Sequence, residues 1–220
     1  MVGQATISQG EEEIIEMRNS NAPLSFNTII ETEVIVVWGV DLYTSHLDWL
    51  PYLEGKRLVV IDPVHISLVK TADLHIQIKS HCDLHLALLL SRFAIIEGAH
   101  DEEFLQKYAN NYEEFYELTQ SVRIKSTLEV INVSLGQIGE LLELIREKKT
   151  VILVGSGVQN SPVESEALDA IDAFGMILGL YGKEGCGVHF LGKTVEGMEP
   201  YFSGSFEFME EVDLSFVTTP

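Results

Sequence analysis

Three runs of β-branched and aliphatic residues limit what this chain can fold into: Val34-Ile35-Val36-Val37-Trp38, Leu58-Val59-Val60-Ile61 and Val151-Ile152-Leu153-Val154. None alternates apolar with polar side chains, so none suits a strand with one wet face; runs of this kind belong to strands covered on both sides, as in parallel sheets flanked by helices. Each stops at a turn signal: Gly39, Asp62-Pro63 and Gly155. Residues 43–53 read as a short helix, which makes the first two runs a strand–helix–strand unit. Leu74-His75-Ile76-Gln77-Ile78 does alternate, as expected of a strand nearer the sheet edge.

Helical spacing fills most of the remainder. Asp83 is placed to cap a helix in which Leu84, Ala87, Leu88, Ser91 and Ala94-Ile95 recur at helical intervals, and Leu86, Leu89 and Leu90 widen the stripe until that helix must be mostly buried. Residues 101–146 contain no β-rich run and read as four helices, the last opened by a Ser134/Gln137 capping box and followed by Arg146, Lys148 and Lys149, where a helix dipole favours cations. Residues 166–180 return to helical spacing; from Gly182 onward the pattern breaks down among scattered glycines and aromatics. Strands alternating with helices predict an α/β fold with a doubly wound, mostly parallel, Rossmann-like sheet, a helical insertion at 101–146 and an irregular C-terminal tail. The expected division is a lead-in over 1–30, one domain over 31–192 and an acidic, aromatic extension over 193–220.

Composition narrows the ligands. Among 220 residues, 14 Lys and Arg stand against 34 Asp and Glu, a net charge of −20 that repels nucleic-acid backbones and anionic lipid surfaces. An anionic ligand would need backbone N–H groups working against that field. Cys82 and Cys186 are the only cysteines, too few for an all-Cys iron–sulfur or zinc site. No leader pattern opens the sequence and no apolar stretch approaches a membrane span, so a cytoplasmic protein without direct membrane insertion is expected.

In an open parallel sheet, ligands gather at the carboxyl ends of the strands, where strand order reverses. Those ends carry Gly39 and Asp41, Asp62, Asp83, and Gly155-Ser156-Gly157-Val158-Gln159. Gly39 suits either close approach of a ligand to the backbone or a plain turn. Asp62 could accept hydrogen bonds from ribose hydroxyls or simply hold the turn before Pro63. Asp83 could accept from the N1–H and N2–H₂ edge of a guanine, cap its helix, or do both. Gly155-x-Gly157 lacks the third glycine of a dinucleotide fingerprint, since Asn160 stands there; it fits a tight turn or a phosphate approach. His75, His81 and His85 are close in sequence, but no set of partnering ligands completes a tetrahedral metal site, and no catalytic nucleophile or base is evident.

Taken in order, these corners resemble one domain of the molybdopterin oxidoreductase family, the guanine-dinucleotide enzymes that include formate dehydrogenases and nitrate and dimethyl-sulfoxide reductases. The resemblance rests on Val34-Ile35-Val36-Val37-Trp38-Gly39, Leu58-Val59-Val60-Ile61-Asp62-Pro63, Ala72-Asp73-Leu74-His75-Ile76, Asp83-Leu84-His85-Leu86-Ala87-Leu88 and Gly155-x-Gly157-x-Gln159, with residues 175–187 resembling the continuation. It implies a dinucleotide-fold domain that holds the guanosine end of a molybdopterin guanine dinucleotide. Asp62 would take the ribose and Asp83 the guanine, with Gly39, Asp41, Gly155, Gly157 and Gln159 around them. The sequence departs from the family at Asp41, where an asparagine is usual, at Val64, where a basic residue is common, and at Ser80-His81-Cys82, which replaces a Pro-Gly-Thr turn. Each departure would cost about 1–3 kcal/mol if the contact is buried.

The family's iron–sulfur module and β-rich pterin domain have no counterpart in these motifs. The resemblance therefore implies a component of a molybdenum-dependent oxidoreductase whose electron-transfer chemistry requires other subunits or domains. Two alternatives stand beside it: a non-catalytic structural subunit of a respiratory complex, like the large iron–sulfur subunit of NADH-quinone oxidoreductase, and a free-standing acidic interaction module.

Overall fold

The computed structural model describes residues 26–159 and 164–191, so the lead-in up to residue 25 and the extension from residue 192 lie outside the described residues. Helix α1 (Phe26–Glu31) leads into strand β1 (Val34–Trp38). Between β1 and β2 (Arg57–Ile61) lie a short helix α2 (Leu42–Ser45) and a 3₁₀ segment (Leu47–Leu53). The continuous helix expected over 43–53 is thus divided: His46, with φ −143°, leaves the helical region, and Pro51 falls inside the tighter segment that follows. A second 3₁₀ segment (Ser67–Thr71) joins β2 to β3 (Leu74–Ile76).

The chain then runs through α3 (Asp83–Ile96), α4 (Glu102–Tyr108), α5 (Tyr112–Ser121), α6 (Ile124–Ile131) and α7 (Leu135–Ile145) before returning as β4 (Thr150–Gly155). Helix α7 opens with the Ser134/Gln137 capping box anticipated from sequence. Arg92 on α3 reaches across to the end of α5, where its Nη1 donates to the carbonyls of Thr119, Gln120 and Val122 at 3.2, 2.6 and 2.6 Å. A single-turn helix α8 (Ser156–Gln159), helix α9 (Glu164–Ile177) and strand β5 (Gly187–Leu191) complete the described chain.

All five strands are parallel, in the order β3-β2-β1-β4-β5. The α/β, doubly wound fold read from the sequence is the observed one. Strand β5 corrects the expectation of irregular structure after Gly182: residues 187–191 pair with Val151 through Gly155 of β4, a register supplied by the neighbouring strand rather than by any local pattern.

Alternation along β1 sends Val34, Val36 and Trp38 to one face of the sheet, and Ile35 and Val37 to the other. The first face packs under α3, α4–α7 and α9, with α3 and α9 also against each other. The second is covered by Ile29 of α1, Leu42 of α2 and the two 3₁₀ segments. Both faces are therefore dry over the inner strands, which is why β1, β2 and β4 show no polar alternation while the edge strand β3 does. No helix among the described residues is long and apolar enough to cross a membrane.

Candidate functional site

Strand order fixes where the site can be. After β1, β2 and β3 step outward on one side, the chain crosses back through α3–α7 and lays β4 on the other side of β1, so strand order reverses between β1 and β4. Gly39 follows β1 and Asp62 follows β2; because Trp38 lies beside Ile61 in the register, these two residues emerge next to each other, and the Gly39 N–H donates to the Ile61 carbonyl at 2.9 Å.

On the β4 side the three glycines meet one another. Gly39 has φ +63°, its carbonyl accepts from the Gly157 N–H at 2.9 Å, and a Cβ on Gly157 would lie 2.7 Å from that same oxygen. A Cβ on Gly155 would lie 2.2 Å from Val40 Cβ. The absence of side chains here lets two backbone turns cross, and the Gly157 amide is already engaged by protein. The Gln159 side chain and Asn160 lie outside the described residues.

On the β2 side three carboxylates converge. Asp62 is 9% exposed; its Oδ1 accepts from the Val64 N–H at 2.7 Å, closing the turn before Pro63. Burial pushes its carboxyl above the ordinary carboxylate range, the Val64 N–H and nearby His75 oppose that shift, and the charges of Asp41 and Asp83 add to it. Asp41 begins α2, where its side chain accepts from the Tyr43 N–H at 3.1 Å. It therefore holds its own loop, as an N-cap does.

Asp83 does not cap α3. Cys82 occupies the N-cap position without a side-chain cap bond, and Asp83 is the first residue of the helix. Its carboxylate Oδ1 accepts from the indole Nε1–H of Trp38 at 2.8 Å, with Trp38 fully buried and Asp83 8% exposed. Burial raises the Asp83 carboxyl above its usual range; the indole N–H, its own backbone N–H and nearby His81 oppose the shift. Hydrophobic patterning places Trp38 only at the end of an apolar strand and does not reveal this contact. The available signal was that a buried Trp needs an acceptor for its N–H.

His75 Nε2 stands 3.3 Å from the Asp62 carbonyl, and the His65 ring meets the His75 ring edge-on with centroids 5.5 Å apart. Among the described residues no group of three His, Cys, Asp or Glu side chains could hold a metal ion.

The chemistry of this edge is uneven. Asp62 and Asp83 are buried acceptors whose burial disfavours the ionised form, each already holding a protein donor, and their remaining acceptor positions suit N–H and O–H groups such as a purine edge and ribose hydroxyls present. Toward phosphate the fit is poor: the Gly157 amide is taken, and Asp41 adds negative charge. These features define a parallel, doubly wound α/β domain with buried carboxylates at the carboxyl edge of its sheet.

The comparisons with known proteins specify which such domain. The family described as molybdopterin oxidoreductase matches residues 4–219, and the chain belongs to that family. It is 28% identical over 172 residues to the assimilatory nitrate reductase catalytic subunit of Bacillus subtilis (strain 168), covering 76% of this chain and 24% of that protein. It is 24% identical over 171 residues to formate dehydrogenase H of Escherichia coli (strain K12), covering 75% of this chain and 24% of that protein. Among solved structures, acetylene hydratase from Pelobacter acetylenicus superimposes with a TM-score of 0.64 at 19% identity over 77% of this chain and 24% of that one, a likeness of fold. The chain thus spans about a quarter of the length of these relatives.

Proposed function

We propose that this chain contributes the part of a molybdenum-dependent oxidoreductase that holds the guanosine end of a molybdopterin guanine dinucleotide, with other subunits or domains completing the enzyme. The convergence of Asp62 and Asp83 beside Gly39 carries the reading. Asp83 would accept from the guanine N1–H and N2–H₂ edge and Asp62 from the ribose, each replacing water with a charge-assisted hydrogen bond inside a buried edge. A bound molybdenum–pterin group supplies the redox centre; the residues of this chain bind and orient its nucleoside end and keep water from it. None of them is assigned a proton-transfer role.

Titration calorimetry of the full chain with guanosine tests this. The expected result is saturable binding that weakens at least tenfold in Asp83→Ala, with a smaller loss in Asp62→Asn, on the scale of one charge-assisted hydrogen bond. Guanosine binding no tighter than adenosine binding would sink the guanine assignment.

A second reading, a structural subunit that has kept the fold without the cofactor, draws support from the Gly157 amide closing on Gly39 and from Asp41 at the same edge. It predicts no guanosine binding and a stable complex with other respiratory subunits in affinity capture.

A further inference from the structure

We infer that Trp38 is a positioning residue for the nucleoside site: its buried indole N–H holds the Asp83 carboxylate against the end of β1, leaving the other acceptor positions of that carboxylate for a ligand. The inference rests on the reading above, in which Asp83 receives the purine edge.

A carboxylate in the first turn of a helix has backbone N–H groups within easy reach, and α3 starts from Cys82 without any side-chain cap. The Asp83 carboxylate nevertheless pairs with an indole on a different element, 45 residues away in sequence, at 2.8 Å. Trp38 is the last residue of β1 and points to the face on which α3 lies, so the sheet rather than the loop before α3 sets where the carboxylate sits. Trp38 is fully buried and cannot change rotamer without disturbing the core.

The indole and the residue's own backbone N–H take two of about four acceptor positions on the carboxylate. The remainder stay available to a ligand. Asp62, Cys82 and His81 are the titratable neighbours that act on Asp83 or feel its charge. The Asp83 charge raises the Asp62 carboxyl, so the two acids disfavour joint ionisation, and the indole N–H favours the ionised form of Asp83. A ligand then meets an acceptor already oriented, which removes an ordering cost from binding.

Two measurements on the full-length protein test the inference. Trp38 and Trp49 are the only tryptophans, so ¹H–¹⁵N correlation spectra contain two indole signals, and Trp49→Phe assigns them. Asp83→Asn should move the Trp38 indole signal upfield, because a charged acceptor becomes neutral, while Trp49 stays in place. In guanosine titrations, Trp38→Phe should weaken binding about tenfold, and the same substitution in an Asp83→Asn background should add little.

A Trp38 signal indifferent to Asp83→Asn overturns the inference whether or not guanosine binds, and remains readable if Trp38→Phe does not fold. A folded Trp38→Phe protein that binds guanosine as tightly as wild type overturns it as well. Failure of the wild type to bind guanosine, with the indole signal still answering to Asp83→Asn, overturns the purine reading and supports the coupling of Trp38 to Asp83.

Discussion

The two sides of the switch point use the same few residues of loop in opposite ways. On the β4 side, Gly39, Gly155 and Gly157 let one turn cross another until backbone touches backbone, and the Gly157 N–H ends on the Gly39 carbonyl. On the β2 side, Asp62 and Asp83 are buried, Asp62 accepting from the Val64 N–H and Asp83 from the Trp38 Nε1–H. One side is closed by protein; the other holds acceptors that protein donors only partly satisfy. A glycine at a strand end can thus mark chain meeting chain, whereas a buried carboxylate with one oxygen held by protein is a candidate acceptor for a ligand.

The largest expected effect lies on the closed side. Gly155→Ala places a methyl group 2.2 Å from Val40 Cβ. Overpacking of this kind costs about 1–3 kcal/mol, so urea unfolding should show a lower midpoint at unchanged slope. A variant as stable as wild type would mean that the crossing is looser than described.

The carboxylate side should show itself in pH dependence. Asp62 and Asp83 have raised values in the folded protein, so the native state holds protons that the unfolded chain releases. The stability they contribute is full below the ordinary carboxylate range and is lost as pH rises through the raised values. Asp83→Asn should flatten that decline and recover about 1 kcal/mol at pH 8, the common scale for single substitutions, and Asp62→Asn should act in the same direction. Denaturant melts across pH 4–8 provide the check. A steeper decline in either variant would contradict the burial argument.

His189 supplies a slope of the opposite sign. Its ring lies buried on β5, and burial lowers its pKa from 6.5 to about 4. The unfolded chain therefore binds a proton that the folded one refuses, and stability falls as pH drops from 6.5 toward 4. His189→Gln should remove that acid-side loss, an effect under about 1 kcal/mol near pH 6. The smallest effect sharpens the comparison most directly: guanosine diphosphate should bind within about threefold of guanosine, because the β4 side offers no free glycine amide to a phosphate and the edge is acidic. A diphosphate that binds a hundredfold tighter would show that the closed side opens.

Much of the architecture was legible because buried parallel strands advertise themselves through residues that have no polar alternative. Val34–Trp38 and Thr150–Gly155 could be located from composition and turn signals alone, and Ser134 and Gln137 declared their own capping box. Strand β5 was not legible, since Gly187–Leu191 becomes a strand only by pairing with β4. The break at His46 escaped notice for a similar reason, as residues 43–53 contain helix-compatible spacing on both sides of it.

Among the site residues, the sequence brought Gly39, Asp62 and Asp83 into consideration by type and by position at strand ends. It left each with two meanings. Asp62 does hold the turn before Pro63, while Asp83 turned away from its helix to a tryptophan 45 residues distant.

By itself, then, the sequence determined where β1, β2 and β4 lie, that these strands are dry on both faces, and that acidic groups stand at their carboxyl ends, because hydrophobic periodicity and turn chemistry are local properties. Only the tertiary structure decided which groups meet there. Strand order placed β4 beside β1, so the glycines closed on one another, and the packing of α3 on the Trp38 face brought the indole to Asp83. Contacts between residues far apart along the chain follow from how the elements stack, and no window of sequence contains that information.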